Sequence, residues 1–240
     1  LTVIAGPAPL RLLWLTLPDP DAMLSIACAS RLSLLTPLGD RAAVVVRCPG
    51  AAPAKVDRVL DAIADALAAS APPGCSDRVR LGFRIDRLPN RDDVARLTSY
   101  SLGVLHLAGH VANDAGIAAW RRAAADAGRS NVVVTVGVGD GHRSGCGMPS
   151  LADNLLASPV FLSRSKPDVA PIGLDGLRSL AAHHPGVLAL GGLGPLDLQA
   201  CLDADACGLA VLSSAWQAPI DAWVDACRRL QALAPREAIK

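Results

Sequence analysis

The chain has 240 residues, of which 51% are hydrophobic and 19% are charged, and its formal net charge is +1. A chain of this length can bury a large core, and its charge predicts neither nucleic acid nor an anionic membrane as a partner. Its 7 cysteines lack a Cys-x-x-Cys spacing, and no apolar run is long enough to span a membrane. We therefore expect a cytoplasmic protein with reduced cysteines.

The first part of the chain predicts five short strands, most of them followed by a helix. The predicted strands cover residues 12–17, 42–47, 78–85, 102–107 and 131–136. The intervening helices are predicted to begin at Asp21, Pro53, Asp92 and Asp114, where a capping residue or a first-turn proline precedes an amphipathic run. A glycine-rich loop, residues 137–147, follows the fifth strand.

The last third of the chain predicts three more strands, at residues 154–157, 187–190 and 209–212, and a final helix over 216–233. Small and polar residues follow each of these strands. They are the segment 158–166, then Gly191 and Gly192, then Ser213 and Ser214. Because strand–helix–strand repeats build parallel sheets, these residues should gather at the carboxyl end of one sheet, where such folds bind ligands.

The residues after these strands suit an anion. Gly191 and Gly192 lack a β-carbon, so backbone N–H groups can approach a ligand, and a helix expected from Pro195 would point its N-terminus at the same place. Lys166 adds a mobile cation, and only three of the 23 basic residues are lysines. Each feature alone also fits a tight turn or a solvated loop. Together they predict a phosphate or pyrophosphate site.

The alternation of eight strands and about eight helices fits two architectures, a closed (β/α)8 barrel or an open doubly wound sheet. No Gly-x-G-x-x-G follows the first strand, which argues against a dinucleotide-binding fold. No linker or change of composition divides the chain, so residues 1–240 are expected to form a single domain.

Four motifs in the last third resemble the thiamine phosphate synthase family and its relative, thiazole tautomerase. They are S-P-V-F-L-S-R-S-K at 158–166, P-I-G-L-D-G-L at 171–177, V-L-A-L-G-G-L at 187–193 and A-C-G-L-A-V-L-S at 206–213. The resemblance favours an α/β protein with a single TIM barrel. It also implies a transferase that couples hydroxymethylpyrimidine pyrophosphate to thiazole phosphate, releases pyrophosphate and uses Mg²⁺.

The resemblance assigns phosphate and substrate binding to the residues after the last three strands. These residues are Ser163, Ser165, Lys166, Gly191, Gly192, Ser213 and Ser214. Lys166 is also a candidate catalytic residue, because a cation there can stabilise departing pyrophosphate.

The pyrimidine half of the family pattern is only partly present. Arg47 matches the arginine of a Gln-x-Arg-x-Lys set and is a candidate catalytic residue, but Val45 and Pro49 replace its neighbours. Asp86 keeps the carboxylate of an Asn-Asp pair that supplies a magnesium ligand, while Ile85 replaces the amide. A surface arginine and a salt-bridged aspartate remain the alternatives for Arg47 and Asp86.

Two histidines and one further carboxylate complete the candidates. His142, with Ser144, matches a serine–histidine segment in which the tautomerase branch has its proton shuttle. His106 matches the histidine of the motif after the fourth strand. Asp114 is the nearest later carboxylate, and we interpret it as a helix cap rather than a metal ligand.

Three functions stay open at this point. The first is a thiamine phosphate synthase-like enzyme, the second a tautomerase that needs neither magnesium nor the pyrimidine, and the third a catalytically silent phosphate-binding barrel. The expected partners are phosphorylated thiazole and pyrimidine substrates. The sequence leaves a homo-oligomer open.

Overall fold

The computed structural model describes residues 9–17, 26–71, 78–142, 145 and 147–233. Its eight strands are β1 Leu12–Leu15, β2 Ala42–Val46, β3 Arg80–Ile85, β4 Val104–Leu107, β5 Val133–Val138, β6 Asn154–Ala157, β7 Val187–Ala189 and β8 Gly208–Val211. All eight are parallel and pair in chain order, and β1 also pairs with β8. The sheet is therefore closed, which confirms the predicted (β/α)8 barrel and excludes the open doubly wound sheet.

The helices alternate with the strands along most of the described chain. They are α1 Ile26–Leu32, α2 Pro53–Ser70, α3 Arg91–Ser99, α4 Asp114–Asp126, α5 Gly173–Ala181, α6 Leu198–Asp203, α7 Ser213–Gln217 and α8 Ile220–Ala232. The helix start predicted at Asp21 lies outside the described residues. The single helix predicted over 216–233 is two helices, α7 and α8, because Pro219 stands between them and has no N–H to continue the first.

The connection from β5 to β6 departs from the alternation, since its described residues form a short 3₁₀ turn, Asp140–His142, and no α-helix. Asp114 holds the end of this connection through its carboxylate, which accepts hydrogen bonds from Ser150 Oγ at 2.8 Å and Leu151 N at 2.9 Å. The expectation that Asp114 caps α4 is therefore wrong. The side chain of Asn113 is the cap and accepts from the backbone N–H of Gly116.

Two apolar layers hold the barrel together, one between the sheet and the helices and one inside the barrel. The inner layer consists of Leu10, Leu13, Leu15, Ala43, Val45, Val104, Val133, Leu156, Leu188, Cys207 and Ala210. Buried Asn154 closes the amino end below this layer, because its amide accepts from Leu10 N at 3.0 Å and donates to Gly186 O at 3.0 Å. Barrels of this kind bind their ligands at the opposite, carboxyl end.

Three tryptophans join the end of the chain to its first strand. The ring of Trp14 meets those of Trp216 and Trp223 edge to face, at centroid distances of 5.6 Å and 5.3 Å. Trp216 Nε1 donates to the carbonyl of Leu15, and Trp223 Nε1 donates to that of Ser214, both at 2.9 Å. These contacts fix the turn after β8 against the rest of the barrel.

The sequence predicted reduced cysteines and no membrane-spanning segment, and the described cysteines and helices can be compared with both predictions. Cys201 and Cys227 are free thiols, and burial raises the pKa of both to about 12. Across the described ranges, every helix is too short or too polar to cross a membrane.

Candidate functional site

A cavity of about 810 Å³ opens at the carboxyl end of the barrel. Most of the residues predicted for the site line it, namely Arg47, Ser163, Ser165, Lys166, Gly191, Gly192, Ser213 and Ser214. Asp86 and His142 are not among its lining residues. The structure thus gathers the predicted phosphate-binding residues around one space, while their roles stay predictions.

Gly191 and Gly192 bring the loop after β6 onto the end of β7. Both have left-handed backbones, with φ of 97° and 69°. A Cβ on Gly191 would lie 2.8 Å from the Cα of Pro159, and one on Gly192 would collide with the carbonyl oxygen of Leu162. The two loops touch only because these residues are glycines, and this contact holds the segment with Lys166 over the cavity.

The side chains of that segment make few contacts of their own. Ser163 Oγ and Ser165 Oγ lie 2.9 Å apart, and Lys166 Nζ lies 3.5 Å from Ser158 Oγ. A bond of that length is weak, so the Lys166 ammonium keeps its donors for a ligand. Ser214 Oγ donates to the carbonyl of Leu193 at 2.7 Å and so ties the β8 turn to the β7 turn.

The helix expected from Pro195 does not serve the cavity as predicted. The chain forms a 3₁₀ turn at Pro195–Asp197 before α6 begins. The N–H of Gly194 donates to Asp197 Oδ2 at 2.8 Å, so the carboxylate of the same turn satisfies it. Gly194 is also absent from the residues that line the cavity. Of the features predicted to bind an anion at this edge, the glycine pair and the β8 turn line the cavity.

The opposite side of the cavity carries a layer of side chains from β2 to β5. Arg84 pairs in register with His106, and His106 pairs with Thr135. Arg47 follows Val46, which pairs with Phe83, so Arg47 and Arg84 are neighbours in the same layer. His106 Nδ1 and Thr135 Oγ1 lie 2.9 Å apart and form a hydrogen bond. Three polar side chains of consecutive strands, Arg47, Arg84 and His106, thus line the cavity together.

The cavity is strongly cationic. Its described lining includes Arg47, Arg84, Arg164 and Lys166, and neither aspartate nor glutamate is among them. Burial, with the charge of Arg84, lowers the pKa of Arg47. Burial, with the charges of Arg47 and Arg84, lowers the pKa of His106 to about 3, so its imidazole is neutral near pH 7. An anionic ligand is what this charge pattern can bind.

Comparison with known proteins agrees with the motifs of the last third. Residues 121–215 match the family model described as thiamine monophosphate synthase. This segment is less than half of the chain, and through it the chain is similar to the thiamine phosphate synthase superfamily, which confirms the resemblance inferred from the sequence.

The matched relatives carry the same name but are matched only in part. The thiamine-phosphate synthase of Chloroflexus aurantiacus is 40% identical over 84 residues, which are 34% of this chain and 38% of that protein. That of Streptococcus suis is 40% identical over 67 residues, 27% of this chain and 29% of that protein. The chain thus matches less than half the length of these synthases.

The similarity of the fold extends much further than the similarity of sequence. The thiamine phosphate pyrophosphorylase of Pyrococcus furiosus superposes with a TM-score of 0.58, covering 92% of this chain and 95% of that one. Its sequence identity is 19%, so this likeness shows the barrel alone.

The synthase superfamily implies magnesium, and the described donor set does not fit it. No group of three or more His, Cys, Asp or Glu side chains that could hold a metal occurs in the described ranges. Asp86 Oδ2 lies 3.3 Å from Arg84 Nη1, and its other oxygen lies 4.0 Å from Arg87. Asp114 is occupied by Ser150 and Leu151. The magnesium site at Asp86 therefore stays a prediction without a second carboxylate.

His142, the predicted proton shuttle, lies beside the cavity rather than in it. Its ring Nδ1 accepts a long hydrogen bond, 3.4 Å, from the backbone N–H of Gly139, which does line the cavity. Its companion in the sequence motif, Ser144, lies outside the described residues. The shuttle role stays a prediction.

Arg84 and His106 also line the cavity. His106 was a candidate because it matches the motif of the fourth strand, whereas Arg84 was not among the candidates. The signal for Arg84 was the two-residue period of a strand, because Gly82 and Arg84 must face the same side. Whether that side is the barrel interior or the helix-facing side depends on the register of the closed barrel.

Proposed function

We propose that this protein couples a phosphorylated thiazole to a pyrimidine pyrophosphate, as a thiamine phosphate synthase-like transferase. One observation carries the proposal. A single cavity places the Gly191–Gly192 and Ser213–Ser214 turns on one side and Arg47 with Arg84 on the other. A phosphate and a pyrophosphate group can therefore bind on opposite sides of one space. A cavity of about 810 Å³ is within the range of small-molecule sites.

The reaction requires stabilisation of the negative charge on the departing pyrophosphate and little proton transfer. The bond between the pyrimidine methylene carbon and the pyrophosphate oxygen breaks, and pyrophosphate leaves with the electron pair. The thiazole nitrogen then gives its lone pair to that carbon, so the positive charge ends on the thiazolium. Arg47, Arg84 and Lys166 would stabilise the departing oxygens. The neutral His106 would stay unprotonated throughout.

The rival functions share the phosphate side of the cavity. A tautomerase would need a base near the thiazole, and the absence of a fitting magnesium donor set in the described residues favours such a metal-free reaction. However, His142, its expected base, does not line the cavity. A silent barrel would bind the phosphorylated thiazole without turning it over.

The first prediction tests the coupling with both substrates, following pyrophosphate release. We expect release from the wild type and a loss of about 10²-fold or more in rate for Arg47→Met, because one preorganised donor to developing charge is removed. Arg229→Met is the control, since Arg229 pairs with Asp225 on α8, away from the cavity. His142→Ala should change the rate only a few-fold.

Three results would contradict the proposal in different ways. Substrate binding without pyrophosphate release would exclude the synthase reaction. Isomerisation of the thiazole that disappears in His142→Ala would indicate the tautomerase instead. If the protein binds thiazole phosphate but does neither, it is a silent barrel that kept its phosphate site.

A further inference from the structure

Arg84 lines the cavity but belongs to none of the motifs that resemble the synthase family. It stands on β3, which pairs on one side with β2, the strand that Arg47 follows, and on the other side with β4, which carries His106. Its side chain is 25% exposed. Neighbouring strands lie about 4.8 Å apart, so the side chains of Arg47 and Arg84 extend from adjacent backbone positions in one layer. Both arginines lie at the carboxyl ends of their strands, and Arg84 stands two residues before Asp86, the position to which the family pattern assigns a metal ligand.

The two arginines have few partners that would neutralise them. Among the described residues, no hydrogen bond or ion pair to the Arg47 guanidinium is found. Arg84 has one contact, at 3.3 Å, with a carboxylate of Asp86 that is 51% exposed, and such a surface pair is weak. Arg164 and Lys166 add to the positive charge of the same cavity. Like charges this close are unfavourable until an anion lies between them.

We propose that Arg84 and Arg47 form a pyrophosphate-binding site that works without a divalent cation. Two planar guanidinium groups can each donate paired hydrogen bonds to phosphate oxygens and supply the charge that a metal would otherwise supply. The ligand class is inorganic pyrophosphate or a diphosphate ester, because the cavity holds more positive charge than one monophosphate balances. The site deepens the proposed function, but it concerns binding alone.

The test is calorimetry of inorganic pyrophosphate with the full-length protein, first in EDTA and then in Mg²⁺. We expect binding in EDTA, at least about tenfold weaker binding by Arg84→Met, and partial recovery by Arg84→Lys. Asp86→Asn should bind pyrophosphate a few-fold more tightly, because it releases Arg84 from its ion pair with the Asp86 carboxylate. Arg229→Met is the matched control and should bind as the wild type does. Circular dichroism of each variant checks that it is folded.

Two outcomes would overturn the proposal. One is pyrophosphate binding that requires Mg²⁺ and is lost in Asp86→Asn, which would restore the predicted metal site. The other is binding in EDTA that Arg84→Met leaves unchanged, which would place the anion on the β7 and β8 turns. Neither outcome depends on whether the two substrates are coupled, so failure of the coupling assay leaves this test intact.

Discussion

His106 is a half-buried imidazole beside two arginines, and its pKa in the folded protein is about 3 against an ordinary value of 6.5. Between these values the unfolded chain binds a proton that the folded chain does not. The free energy of unfolding therefore decreases as pH falls from 6.5 toward 3, by at most about 1.4 kcal/mol per pH unit. Above pH 6.5 this contribution is fully present.

We expect His106→Gln to lose less stability on acidification than the wild type. Between pH 7 and pH 5 the difference should be roughly 2 kcal/mol at most, measured by urea denaturation at both pH values. The control is His110→Gln, which removes an exposed histidine outside the cavity. Equal losses in wild type and His106→Gln would mean that the imidazole is not held neutral by its surroundings.

At the scale of elements, α8 holds the phosphate side of the cavity in place through one hydrogen bond. Trp223 Nε1 donates to the carbonyl of Ser214 at 2.9 Å, and both Ser213 and Ser214 line the cavity. Trp223→Phe would leave that carbonyl with the hydrogen bond from Ala218 N, at 3.1 Å, and without the one from the indole. We expect a stability loss of roughly 0.5–1.5 kcal/mol and weaker binding of thiazole phosphate.

Trp120→Phe provides the matched control for this prediction. Trp120 is also a buried tryptophan, and its Nε1 donates to the carbonyl of Arg87 at 2.9 Å, on the β3 side of the barrel. It should lose a similar amount of stability while thiazole phosphate binds unchanged, as measured by thermal unfolding and calorimetry. If both variants lose affinity equally, the Ser214 contact has no special role in the site.

The elements also show where sequence patterns were sufficient. The strand predicted at 154–157 is the observed β6, and the strand predicted at 131–136 is displaced by two residues from β5, Val133–Val138. Apolar runs between helices predict the presence of strands well, but the residues at which a strand begins and ends depend on its pairing with neighbouring strands. The glycine-rich loop predicted at 137–147 contains the 3₁₀ turn Asp140–His142, and the described residues between β5 and β6 form no α-helix. Only the tertiary bonds of Asp114 show what holds this connection.

At the scale of the whole molecule, the barrel and the gathering of Gly191, Gly192, Ser213 and Ser214 at one edge were predictable, but the composition of the cavity was not. Gly191 and Ser213 follow successive strands, so they had to meet at one edge. By contrast, Arg47, Arg84 and His106 come from three strands, and their shared layer depends on the register around a closed sheet. Alternation within a strand says that two residues share a face and leaves open which neighbours they meet.

Closure of the sheet leads to a prediction for a chain that lacks α8. Leu12 pairs with Leu209, and Trp14 packs on Trp223 of the last helix. A chain that ends at Gln217 would lack α8 and leave Trp14 without one of its two ring contacts. We expect such a chain to be cleaved by protease much faster than the full chain under native conditions. Equal resistance would mean that the barrel closes without α8.

The pairing of the first strand with the last also decides when the protein can fold in the cell. A ribosome releases β1 long before it has made β8, so the edge of β1 stays free until β8 follows. An unpaired, apolar strand edge is a site for wrong pairing with other chains. We therefore expect folding to be slow and to depend on chaperones that shield Leu12–Leu15 until β8 has been made.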